Sequence, residues 1–199
     1  MIVLKGRVLD GNGGPPIEQG AVVLEGNRVH LVCRQSELPE LEGVQCYTTQ
    51  NATILPGLID AHVHMGWGSA TAVEWLSMTP QLSMARALRD MAQLRQQGYT
   101  AFRDLGSDVI LLKPAVAEGL LDVPRIFGAG KILSQIGGHG DVSQKLSLEG
   151  SLGAYSPAFL VTGEDEVRRA CRINARNGAD LIKIMTTGGV FSQGDKATP

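Results

Sequence analysis

The 199-residue sequence predicts an α/β protein whose larger part is a parallel sheet of the (β/α)8 barrel type. Three observations predict it. Strand and helix patterns alternate from Thr53 onward, and the continuous apolar run Ile54–Ile59 leads into His62-Val63-His64. The polar clusters His62/His64, Arg103/Asp104, His139/Asp141 and Lys183 to Gly189 each follow a strand pattern, where such barrels carry their active sites. A doubly wound sheet is the architectural rival, but no GxGxxG follows the first strand of this region.

Residues 1–52 read as short strands and turns without helical period. Ile2–Val8 alternates loosely, and Asp10-Gly-Asn-Gly-Gly-Pro-Pro16 is a turn signal. Gly20–Leu24 and Arg28–Val32 form an apolar pair joined through Glu25-Gly26-Asn27, a β-hairpin pattern. From Thr53 the first strand spans about 54–60, continuously apolar as in a parallel strand covered on both faces. A helix follows over 81–97, with Met84, Leu88, Met91 and Arg95 on one stripe, Ala87 and Leu94 beside it, and Gly98 as C-cap.

Tyr99–Leu105 is the second strand, Val109–Glu118 a shorter helix interrupted by Pro114, and Arg125–Ala129 the third strand. The long loop 130–157, rich in Gly and Ser, holds Gly137-Gly138-His139-Gly140-Asp141; such length is uncommon without a function. Thr162 caps the next helix, which presents Val167, Ala170, Cys171, Asn174, Ala175 and Gly178 to the core. Asp180–Met185 is the fourth strand.

Composition sets outer bounds. Hydrophobic residues make up 43% and charged residues 19%, as in ordinary globular proteins, and a net charge of −2 gives no reason to expect nucleic acid or anionic membrane as partner. No apolar run is long enough to span a bilayer. Cys33, Cys46 and Cys171 lack CxxC spacing and are odd in number, which suggests core residues of a reducing, cytoplasmic protein.

The chemistry begins at the first strand. Side chains at i and i+2 share a face, so both imidazoles can reach one metal ion. Lys183 stands in an otherwise apolar strand, DLIKIMTTGG. Burial there would push its amine toward the neutral form, and a neutral amine beside a divalent cation can add CO2 to become a carbamate that bridges two metals. Snorkelling to the barrel mouth, or pairing with Asp104, is the plainer reading. Arg103 and Asp104 read as an internal ion pair orienting loops. Asp141 is also ordinary turn chemistry. His30 reads as a surface residue, and Trp67 and Trp75 either line the site or enter the core.

The strand ILPGLIDAHVH, the strand DLIKIMTTGGV and the loop GGHGD together resemble the amidohydrolase superfamily, in particular its prolidase-like branch. The resemblance implies a small β-sandwich part over residues 1–52 and the first four βα units of a hydrolase barrel over 53–199. It implies that His62 and His64 bind the more buried of two divalent ions, zinc by preference, and that carboxylated Lys183 bridges both. It gives His139 a substrate-binding role at the scissile carbonyl or the substrate carboxylate. Hydrolysis of an amide or peptide C–N bond in a dipeptide or N-acyl amino acid is the implied reaction; a cyclic-amide hydrolase or deaminase of the same superfamily is the alternative.

Two further histidines and an aspartate complete such sites. No histidine follows Lys183, and Asp195 reads as a loop residue. A full barrel needs about 250 residues, so the sequence reads as the N-terminal half of a longer protein. The catalytic aspartate is then expected beyond Pro199, with the missing C-terminal half as partner, a homo-oligomer as assembly, and no activity from this part alone. An inactive truncated half-barrel is the reading outside enzymology.

Overall fold

The computed structural model describes residues 1–68, 74, 77–141 and 156–189. It shows two compact units, Met1–Gly57 and Leu58–Pro199. The first is built on one four-stranded sheet of β1 (Ile2–Val8), β2 (Ile17–Glu25), β3 (Arg28–Arg34) and β4 (Gln45–Ile54), in the order β3-β2-β1-β4. The hairpin pattern folds as expected: β2 and β3 pair antiparallel around Gly26, whose φ of +58° suits a residue without Cβ. Val3, Ala21 and Val23 are fully buried, and Leu31, Leu38, Leu41 and Val44 pack over them. β4 has no counterpart in the sequence reading. Its Cys-Tyr-Thr-Thr start suits a strand, but it pairs with β1 from some forty residues away and only that pairing reveals it.

The second unit runs β5 (Leu58–Val63), α1 (Pro80–Gln96), β6 (Tyr99–Asp104), a 3-10 turn (Asp108–Leu112) leading into α2 (Lys113–Ala117), β7 (Arg125–Gly128), β8 (Ile132–Ser134), β9 (Ala158–Leu160), α3 (Gly163–Arg176) and β10 (Ile184–Met185). Its strands form two parallel sheets, ordered β5-β6-β7 and β10-β8-β9. Asp180 links the two: its N–H donates to the Gly128 carbonyl at 2.8 Å, and its carboxylate accepts from the Gly128 N–H at 2.8 Å.

Several elements move from their expected places. The first strand of this unit is 58–63 rather than 54–60, because Ile54 belongs to β4 and Pro56-Gly57 interrupts the ladder; Pro56 has no N–H to give. Pro114 sits in the first turn of α2, so the expected helix 109–118 divides into a 3-10 turn and a short α-helix. The loop after β7 is partly a strand, since Ile132–Ser134 continues past Gly130. The fourth strand has ladder pairing only at Ile184–Met185, although the Lys183 carbonyl also accepts from the Leu133 N–H at 2.9 Å.

α1 starts where Thr79 accepts from the Leu82 N–H at 3.2 Å with Pro80 following, and stops at Gly98 with φ +90°. It buries Ser83, Ala87 and Met91, a face turned slightly from the expected Met84–Arg95 stripe; Arg95 instead reaches Asp122 at the surface. Met65, Ala87, Met91, Phe102, Val109 and Ile126 form the core. Phe102 and Ile126 are register partners on that face, while Arg103 and Phe127 occupy the opposite, exposed face. Leu58, Ile59, Ile182 and Ile184 are exposed as well, so the expectation of strands covered on both faces fails among the described residues. No helix among the described residues is long and apolar enough to cross a membrane.

Candidate metal centre

The end of β5 departs from a regular ladder. Asp60 pairs with Phe102 and Val63 with Asp104, so β5 spends one more residue than β6 over this stretch, a β-bulge. Three consecutive residues of the β6 end secure it. The Arg103 Nε donates to the Ala61 carbonyl at 2.7 Å, the Leu105 N–H donates to the Val63 carbonyl at 2.9 Å, and an Asp104 oxygen accepts from the Met65 N–H at 2.7 Å. The other Asp104 oxygen accepts from the N–H groups of Gly106 and Ser107 at 3.0 and 2.8 Å. Burial pushes the Asp104 carboxyl up, against the downward pull of these hydrogen bonds. Arg103 and Asp104 therefore do not form the expected ion pair. Neighbouring strand residues point to opposite faces, and each finds a backbone partner instead.

On this bulge the His62 and His64 rings stand 5.3 Å apart, centroid to centroid, at 67°. The indole of Trp67 lies 4.3 Å from the His64 ring, and its Nε1 donates to the Gly106 carbonyl at 2.9 Å. Trp67 thus walls the histidine, and Trp75 lies outside the described residues. Gly66, with φ +76°, lets the chain leave the site: a Cβ there would stand 2.4 Å from the Ser83 carbonyl oxygen of α1.

His64 is held neutral. Burial first, then the neighbouring charges of His62, Lys183 and His139, lower its pKa from 6.5 to about 4. Residues from three separate stretches of sequence therefore act on one imidazole. Its Nδ1 is buried without a hydrogen-bond partner among the described residues. A neutral imidazole with an unclaimed buried nitrogen is a fitting donor for a metal ion.

Lys183 is half-buried beside β8, on the same side of its segment as the half-buried Leu181 and Met185. It does not pair with Asp104, whose oxygens are taken by backbone N–H groups. His139 rests against Gly189: a Cβ at Gly189 would lie 2.0 Å from its Nδ1, so only glycine admits the ring here. Its loop is anchored by Ser134, whose hydroxyl accepts from the Gly140 N–H at 3.1 Å. The Asp141 carboxylate accepts from the Gly137 N–H at 2.9 Å, and the Asp141 N–H donates to the Gly138 carbonyl, which favours the turn-forming reading. His30 lies on β3 near Glu25, exposed as expected. Asp195 falls outside the described residues, and no three His, Cys, Asp or Glu side chains gather as ligands among those described.

One residue that sequence reasoning placed only in a core stripe proves to shape the site's support. Asn174 on α3 is buried, accepting from the Lys131 N–H at 3.1 Å and donating to the Lys131 carbonyl at 2.7 Å. It fixes the passage from β7 into β8, which leads to the His139 loop. Its polarity within a stripe of small apolar residues was the available signal.

Residues 53–199 match the Amidohydrolase family. The ochratoxinase of Aspergillus niger is 31% identical over 98% of this chain and 43% of its own length. The crystal structure of A. niger ochratoxinase superposes with a TM-score of 0.86 at 30% identity, covering 98% of this chain and 48% of that one. A prolidase complexed with N-methylphosphonate-L-proline gives 0.82 at 35% identity, again over 98% of this chain and 48% of that chain. A Xaa-Pro dipeptidase with methionine in its active site gives 0.79 at 27% identity, over 96% and 48%. The chain spans about half the length of these relatives. With the residue match spanning the whole second unit, the chain belongs to the amidohydrolase family.

Proposed function

We propose that residues 1–199 supply the first metal ligands and part of the substrate pocket of a metal-dependent hydrolase that cuts an amide or peptide C–N bond in a dipeptide or N-acyl amino acid. The observation that carries this reading is the buried, neutral His64, which feels the charges of His62, Lys183 and His139 and whose Nδ1 has no hydrogen-bond partner among the described residues. The likeness to an ochratoxinase, a prolidase and a Xaa-Pro dipeptidase supports the substrate class.

In this reading the sheets of the second unit are the first half of a (β/α)8 barrel, and the sheet of the first unit is one layer of a β-sandwich. The exposed Leu58, Ile59, Ile182 and Ile184 fit a sheet awaiting its remaining strands and helices. His62, His64 and Lys183 as its carbamate would hold two divalent ions, zinc by preference; a bound zinc supplies Lewis acidity and lowers the pKa of its water. His64 stays neutral at pH 7 and so keeps a lone pair for the ion. Trp67 covers one side of its ring and excludes water there. His139, seated on Gly189, orients the scissile carbonyl or the substrate carboxylate by a hydrogen bond. The proton is moved to the leaving nitrogen by an aspartate that we assign to chain outside residues 1–199.

The test is hydrolysis by the full-length protein of Xaa-Pro and Xaa-Arg dipeptides and N-acyl amino acids, before and after chelation and zinc return. Activity lost on chelation and restored by zinc supports the reading; chelator-resistant turnover contradicts it. Hydrolysis of a cyclic amide is the second reading, favoured by the imidazolonepropionase of Bdellovibrio bacteriovorus, 24% identical over 60% of this chain.

A further inference from the structure

The β-bulge at Ala61-His62 is an expense in backbone pairing. One extra residue in β5 leaves the Ala61 carbonyl without a ladder partner, and unpaired carbonyls weaken a strand end. Arg103 replaces that partner from the exposed face, and Asp104 grips Met65 from the buried face. The two grips fall immediately before His62 and immediately after His64. Between them, the Leu105 N–H holds the Val63 carbonyl. The histidine pair is thus bracketed by backbone bonds to three consecutive residues, two of them made by charged side chains.

We propose that Arg103 and Asp104 are positioning residues that hold this bulge and so set the approach of the His62 and His64 rings to one ion. The inference rests on the metal-site reading above. Asp104 is matched to the task because its three hydrogen bonds from backbone N–H groups all need an acceptor. Asparagine offers one acceptor oxygen and an NH2 group, so it must turn a donor toward either Met65 N–H or the Gly106 and Ser107 N–H groups. Either arrangement releases one side of the clamp. Arg103 is exposed, so its replacement by methionine keeps much of the stem and removes only the bond to Ala61.

The experiment is zinc titration of the chelator-treated full-length protein against a competing indicator, with the thermal midpoint of the metal-free protein measured alongside. Ligand-supporting partners typically change metal affinity by about 10–100-fold. Asp104→Asn is expected to weaken zinc toward the upper end of that range and Arg103→Met by about 10-fold, with the midpoint of the Arg103 variant unchanged. Arg103→Lys, which can still donate to Ala61, recovers most of the loss. If Asp104→Asn fails to fold, the Arg103 pair decides alone. Wild-type affinity in Arg103→Met, or an Asp104→Asn protein that melts earlier yet binds zinc as tightly, overturns the positioning role and leaves the metal site standing. A wild-type protein that binds no zinc overturns both.

Discussion

The two sheets that open each unit handle polarity in opposite ways. In residues 1–57 the backbone ladder does most of the work around Val3, Ala21 and Val23, and no buried polar side chain is found among them. In the second unit Ser83, Asp104, Ser107, Ser134, Asp141 and Asn174 are all buried, and most of them bond to backbone where ladders break or turn. A buried polar group is tolerated only when fully paired. The second unit therefore accepts irregular backbone at its strand ends and secures it with side chains. The candidate site residues His62, His64 and His139 lie at those side-chain-secured ends, whereas the first sheet has a register shift in each of its three pairings and buries no polar side chain to secure them.

The sharpest way to break this contrast is to remove an apolar anchor beneath the irregular ends. Phe102→Ala should cost about 3–5 kcal/mol by urea unfolding, since the ring is fully buried between α1 and β7. A loss below about 1 kcal/mol would mean the core does not support the sheet as described. Asn174→Ala should cost about 2–4 kcal/mol, because it removes both hydrogen bonds of the buried Asn174 amide to the Lys131 backbone. An unchanged unfolding midpoint would refute the view that side chains substitute for ladder bonds here.

A pH series sharpens the comparison further. The folded His64 has a pKa of about 4, below the ordinary 6.5, so folding favours its neutral form. Its contribution is fully present above about pH 6.5 and is lost as the pH falls through 4. Metal-free protein should therefore lose stability across that window, and His64→Leu should flatten the slope; an identical slope in the variant would contradict the assignment. The smallest effect belongs to the first unit. Arg7 and Glu18 form an exposed pair at 3.1 Å, so Arg7→Ala should change stability by no more than about 1 kcal/mol. A larger loss would show that the first sheet, too, depends on side-chain pairing.

Local pattern was enough to single out His62, His64 and Lys183 as candidates, because strand period and an ionisable group in an apolar strand are properties of a few neighbouring residues; the ligand role of Lys183 came from the family resemblance. It also located α1, the β2–β3 hairpin and the His139 loop. What it missed depends on partners far away in sequence. β4 exists because β1 lies beside it, and β8 because β9 and β10 flank it. The first strand of the second unit starts at Leu58 because β4 claims Ile54, and the bulge at its end is visible only in its register against β6. Asp104 was read as the partner of its neighbour Arg103, since charge adjacency is legible and the reach of Met65 N–H is not. His139 could be named, but its seat on Gly189 required two stretches fifty residues apart to meet.

The central claim is that His62, His64 and Lys183 serve one metal centre, and zinc content per chain tests it most directly. By elemental mass spectrometry, the full-length wild-type protein should carry two zinc ions per chain and Lys183→Ala should lose binuclear loading. Retention of both ions in Lys183→Ala, or none in the wild type, would contradict the account.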